Sequence, residues 1–131
     1  DMVGHTGDCL AVEISVEATD LSVGRLMEAI RAANGILVLS ADHGNADDMF
    51  ERNKKGEVVI DPRTGKPKAK TSHSLNPVPC FIWDPSGAAK ARLSGAASKG
   101  GLGITSLTAT CLNLLGFEAP EGYDPSLVDV G

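Results

Sequence analysis

Three histidines and a few well-placed carboxylates are the residues of this chain with the chemistry for a reactive centre. The densest group is Asp42-His43, which ends the apolar run Ile36–Ala41 and precedes Gly44 and Asn45. Asp1 and His5 stand four residues apart around Gly4, and His73 follows Thr71-Ser72. A carboxylate and an imidazole converging across a turn suit zinc, manganese or a similar divalent ion. Asp42 and His43 are adjacent, so at a strand end their side chains are expected to point in opposite directions. That arrangement is awkward for chelating one ion but serves two, one on either side of the backbone. Paired metals about 4 Å apart clamp the attacking and leaving oxygens in phosphatases and nucleases. Blander readings fit the same residues. Each histidine alone is compatible with an ordinary hydrogen-bonded role, and Asp42–Asn45 with a strand closing in a polar turn where Gly44 takes a positive φ. Ser72 and Ser74 read as turn residues, and neither lies in a motif that activates a serine nucleophile.

Such residues need elements to position them. Ile36–Ala41, between Gly35 and Gly44, reads as a buried strand that would present Asp42 and His43 at its carboxyl end, where open α/β sheets bind ligands. Before it, Leu10, Ile14, Leu21, Val23, Met27 and Ile30 recur at the spacing of one buried helical face. Thr19-Asp20 either caps a second helix or interrupts one long helix, and Asn34-Gly35 is a stop signal. Asn45–Glu51 suits a helical turn. Residues 52–70 hold seven of the twelve basic residues and read as a surface hairpin turning at Asp61-Pro-Arg-Thr-Gly65. Gly65-Lys66 is no phosphate-binding loop, because Pro67 follows and the glycine spacing is wrong. Val78–Trp83 is a second strand, confined by Pro79 to an edge or a strand start. Residues 84–103 read as a loop with little regular structure. Thr105–Leu115 reads as a helix burying Leu107, Cys111, Leu114 and Leu115 and capped by Gly116. The tail beyond it should be extended on the surface.

Apolar residues make up 42% and charged residues 22% of the 131 positions, the profile of a soluble globular protein. No apolar run reaches the length of a membrane span. A formal charge of −5 and the lack of aromatics among the basic residues argue against nucleic-acid binding. Cys9, Cys80 and Cys111 are odd in number and widely spaced, which points to reduced thiols in a cytoplasmic setting. Two convincing strands make an incomplete sheet, and a candidate ligand is the first residue; both lead us to expect part of a larger domain.

Taken together, Asp1-Met-Val-Gly-His-Thr-Gly7, Ala41-Asp-His-Gly-Asn45 and Thr71-Ser-His73 with Asn76-Pro-Val-Pro79 resemble the cofactor-independent (2,3-bisphosphoglycerate-independent) phosphoglycerate mutases. Gly101-Leu-Gly-Ile-Thr, Leu114-Leu-Gly-Phe and Ala119–Leu127 resemble the same family's C-terminus, and Arg52-Asn-Lys-Lys-Gly56 its plant- and trypanosomatid-like members. The resemblance implies an α/β fold of the alkaline-phosphatase type, a partial sheet flanked by helices. It makes residues 1–131 the C-terminal segment of a metal-binding phosphatase domain. It implies two Mn²⁺ ions, with Asp1, His5 and His73 as ligands of one and Asp42 and His43 as ligands of the other. The implied reaction interconverts 3-phosphoglycerate and 2-phosphoglycerate through a phosphoserine, in glycolysis and gluconeogenesis, in a monomeric cytoplasmic parent enzyme. The nucleophilic serine, a further metal-binding aspartate and the substrate domain are not in this sequence, so the chain alone is expected to be inactive. The rival expectations are another metalloenzyme of that superfamily (a phosphatase, sulfatase or phosphopentomutase) and a non-catalytic metal-binding fragment.

Overall fold

Asp8 begins the longest element: its Oδ1 accepts from Ala11 N at 3.1 Å, satisfying one of the amide donors that a helix start leaves unpaired. Helix α1 then runs over Cys9–Ala32 without a break. Thr19 and Ser22 do not interrupt it, because their hydroxyls donate back to Ser15 O (2.9 Å) and Ala18 O (2.8 Å) within the same helix. Asn34, with φ 55°, and Gly35, whose N–H donates to Ile30 O at 2.9 Å, provide the expected stop. The computed structural model describes residues 1–131, apart from the side chain of Ser98.

The described residues form two compact units: Asp1–Leu26 with Ala41–Pro79, and Met27–Ser40 with Cys80–Gly131. In the second, β1 (Leu37–Ser40) pairs antiparallel with β2 (Cys80–Trp83), Leu37 opposite Trp83 and Ser40 opposite Cys80. Both strands are shorter than the apolar runs predict, and β2 begins directly after Pro79, which cannot donate to the ladder. β1 is half-buried along its length rather than buried. Residues 84–103 are more ordered than expected: β3 (Arg92–Leu93) and a short helix α2 (Gly95–Lys99) lie within them. The tail also departs from expectation, since β4 (Val128–Asp129) pairs with β3 and buries Val128.

Helix α3 (Ser106–Leu114) corrects a prediction of its buried face. Ser106, Ala109 and Thr110 are its buried residues, whereas Cys111 and Leu115 are exposed. The reason is a polar clasp: Thr110 Oγ1 donates to Ser106 O at 2.7 Å and accepts from Leu127 N at 2.9 Å, drawing the segment that leads into β4 onto this side. The face of α1 read as buried is likewise open, with Leu10, Ile14 and Leu21 each more than half exposed and only Val12 buried.

In the first unit the basic segment folds as expected into a hairpin. Lys68 N donates to Val59 O and Asp61 N to Lys66 O, and Asp61 Oδ1 closes the turn by accepting from Arg63 N. Residues 49–53 add a third segment, bridging Phe50 to Ala69 and Arg52 to Val58. Residues 45–48 form a tight turn, Asp48 N to Asn45 O at 3.1 Å, in place of the expected helical turn.

Candidate metal centre

All five predicted ligands fall in the first unit and come from three separated segments. The first is a 3₁₀ turn, Gly4–Thr6, ended by Gly7 at φ 69°. It brings Asp1 and His5 onto one side, with His5 N donating to Asp1 O at 3.4 Å. Asp1 Oδ1 lies 3.2 Å from His5 Nε2, 3.1 Å from His73 Nε2 and 4.0 Å from His43 Nε2. One ligand atom each from Asp1, His5 and His73 lie within 4.8 Å of one another, the only such three-residue group among the described residues. The imidazoles of His43 and His73 stack with centroids 3.5 Å apart and planes 9° from parallel, and His5 is tilted toward His73 at 5.2 Å.

Asp42 and His43 do not diverge as the strand-end argument expected. β1 ends at Ser40 and residues 42–43 lie in a bend, so the alternation of an extended strand no longer applies. His43 Nε2 is 3.6 Å from Asp42 Oδ2, with Asp42 87% exposed and His43 only 27%. Gly44 is also needed for a different reason than predicted. It is absent from the positive-φ glycines; instead a Cβ there would collide with Ser74 Oγ and come within 2.7 Å of Asp47 Oδ1. Gly4 is constrained likewise, since a Cβ would collide with Asn45 Oδ1.

The electrostatics favour a neutral His73 imidazole. Desolvation, followed by the neighbouring His43 and His5, holds the His73 pKa below its ordinary value. His43 Nδ1 lies 3.3 Å from Gly44 O; a carbonyl only accepts, so this contact puts the proton on Nδ1 and leaves the Nε2 lone pair for a metal. The donor set of one carboxylate and two imidazoles suits a divalent transition ion. Asp42 and His43 supply only two donors, half of what a second ion needs.

Ser74 is more than the turn residue its sequence context suggests, because it binds Asp47, which carries no signal of its own in the sequence. Asp47 Oδ2 accepts from Ser74 Oγ at 2.7 Å and from Asn76 Nδ2 at 2.6 Å, and these bonds, Ser74 first, hold its carboxyl below the usual carboxylate range. Its partners are 27 and 29 residues away, so no local pattern could have signalled them. The basic hairpin offers little to an anion nearby. Lys70 Nζ is 2.7 Å from Asp48 Oδ2 and Arg52 Nε 3.5 Å from Asp48 Oδ1, which pairs both cations lining the open groove of about 420 Å³ there.

The model of the metalloenzyme superfamily matches residues 1–119. The chain is 48% identical over 134 residues to the 2,3-bisphosphoglycerate-independent phosphoglycerate mutase of Trypanosoma brucei brucei, covering 99% of this chain and 23% of that protein. It is 44% identical over 130 residues to the enzyme of the same description from Mesembryanthemum crystallinum, again covering 99% and 23%. A crystal structure of Leishmania mexicana phosphoglycerate mutase, solved at low cobalt concentration, superposes with a TM-score of 0.85 at 45% identity, over 100% of this chain and 23% of that one. The chain thus spans about a quarter of the length of the curated relatives it matches. A match to the family model across residues 1–119 and the close likeness to a solved fold lead to one assignment: this chain belongs to the metalloenzyme superfamily, with its alkaline-phosphatase-like α/β fold.

Proposed function

We propose that this chain is the C-terminal, metal-holding part of a cofactor-independent phosphoglycerate mutase, a cytoplasmic, monomeric isomerase that interconverts 3-phosphoglycerate and 2-phosphoglycerate in glycolysis and gluconeogenesis. The observation that carries the reading is the meeting of three imidazoles on one carboxylate oxygen, Asp1 Oδ1, from segments far apart in sequence. Asp1, His5 and His73 hold one divalent ion. Asp42 and His43 contribute to a second, whose remaining ligands come from the segment carrying the nucleophilic serine and a further aspartate. We assign both ions as Mn²⁺; the presence of cobalt with the Leishmania enzyme is consistent with a site that accepts divalent transition ions. When bound, such ions supply positive charge that lowers the pKa of a serine hydroxyl and offsets charge on a phosphoryl group.

The residues of this chain have definite tasks in that scheme. Neutral His5, His43 and His73 offer nitrogen lone pairs, Asp1 and Asp42 offer negative charge, and the Gly44 carbonyl holds His43 in the ligating tautomer. The phosphoryl group passes from substrate to serine and returns to the other hydroxyl of the same glycerate.

The test is product analysis with the full-length protein. Conversion of 3-phosphoglycerate to 2-phosphoglycerate supports the mutase. Net release of inorganic phosphate, or turnover of pentose phosphates instead, would assign it to another branch of the superfamily. No turnover of any phosphate ester would leave a non-catalytic metal-binding role.

A further inference from the structure

Residues 44–47 connect to both of the other ligand-bearing segments. Toward the first, Asn45 Nδ2 lies 3.5 Å from His5 Nδ1, and its Oδ1 fills the space over Gly4. Toward the third, Ser74 N donates to Gly44 O at 2.9 Å, and Asp47 takes the two hydrogen bonds from Ser74 and Asn76. Ser74 Oγ also accepts from Asn76 N at 3.4 Å. Ser74 is 5% exposed, whereas the adjacent His73 side chain is 45% exposed. His73 is held on its ring by the stack with His43 and on its backbone by the anchoring of its neighbours.

We propose that Asp47 is a positioning residue of the metal centre: by holding Ser74 and Asn76 it keeps His73 stacked on His43 and so sets the spacing between the two ligand sets. The consequence for metal binding rests on the functional reading above; the positioning itself does not. Asp47 lies outside the cluster of candidate ligands, and its Oδ2 is taken up by the hydroxyl and the amide. Without it, Ser74 loses the acceptor for a nearly buried hydroxyl, and only the Ser74 N to Gly44 O bond joins the two segments directly at this point. Partners that orient metal ligands in this way are worth about 10–100-fold in metal affinity.

The test compares the full-length protein with its Asp47→Ala, Asp47→Asn and Asn76→Ala variants. Two readouts are used: Co²⁺ titration followed by visible absorption, and the ring C–H signals of His43 and His73 in metal-free NMR spectra. Stacked imidazoles shift each other's signals, so the spectra report the positioning with no metal present. Asp47→Ala should weaken Co²⁺ binding about ten-fold or more and abolish the stacking shifts. Asp47→Asn keeps an oxygen that accepts from both donors and should stay close to the original chain in both readouts. Unchanged Co²⁺ affinity and ring shifts in Asp47→Ala would overturn the proposal, as would Asp47→Asn failing as completely as Asp47→Ala. If the unsubstituted chain takes up no Co²⁺, the metal reading fails and the ring signals alone decide the role of Asp47. If Asp47→Ala does not fold, Asn76→Ala decides: a partial loss of the shifts supports the proposal, and none overturns it.

Discussion

Asp1 joins the candidate centre, because its Oδ1 lies within 4.0 Å of a ring nitrogen of all three imidazoles. His43 is a proposed ligand that lies outside the buried apolar core, so its replacement should separate function from folding. His43→Ala in the full-length protein is expected to abolish turnover while costing no more than about 1 kcal/mol of stability; kcat and denaturant midpoints together check this, and a near-normal kcat would remove His43 from the site. The imidazoles also impose a pH dependence. Metal binding needs their neutral forms, so Mn²⁺ affinity measured by calorimetry should fall in acid as protons compete for the ligand nitrogens. For the metal-free chain the sign follows from His73, whose folded pKa is depressed by desolvation and by His43 and His5. Its contribution to stability is fully present above pH ~6.5 and is lost as the pH falls through the lower folded value. A pH-independent affinity would contradict the assignment of these residues as ligands.

Two elements show how tightly local backbone and long-range polar contacts are joined. Thr110 of α3 is fully buried and accepts from Leu127 N at 2.9 Å. Thr110→Val keeps the shape but leaves that amide without its acceptor, and should cost about 1–3 kcal/mol in a chemical denaturation midpoint. Gly44 is the corresponding point in the first unit. Gly44→Ala forces a methyl group against Ser74 Oγ and Asp47, so we expect a loss of about 1–3 kcal/mol together with weaker Mn²⁺ binding. A substitution that lowered stability but left binding intact would show that the Gly44–Ser74 contact does not support the site. The hairpin of residues 52–70 was legible from its turn residues, because Asp61 and Gly65 act within a few positions of each other. The buried face of α3 was not, because Leu127 selects it from thirteen residues beyond the helix end.

Across the molecule many large apolar side chains are open to solvent. Leu10, Ile14, Leu21 and Leu26 on α1 are each more than half exposed, as are Phe81, Leu93, Leu115 and Phe117. The core has few members, with Val12, Ala109 and Val128 its buried apolar side chains among the described residues. Each sheet is a single pair of strands, which leaves unpaired edges. The isolated chain is therefore expected to self-associate or to melt without a sharp transition. Sedimentation showing a concentration-independent monomer, with cooperative unfolding, would contradict this.

The sequence by itself determined the inventory of candidate ligands and its order: Asp1 with His5 across a turn, Asp42-His43 after an apolar run, and His73 before a proline-fixed strand. It also determined the hairpin, the stops at Asn34 and Gly116 and the helical character of the stretch before Asn34, though not that this stretch is one unbroken helix, because these depend on residues a few positions apart. Tertiary structure alone decided that the three histidines converge on one carboxylate oxygen, that Asp42 and His43 come within 3.6 Å of each other, and that Asp47 reaches across to Ser74. Those contacts join residues up to about seventy positions apart. Hydrogen-bond geometry and packing select them only once the chain has closed on itself, so no pattern in a local window specifies them.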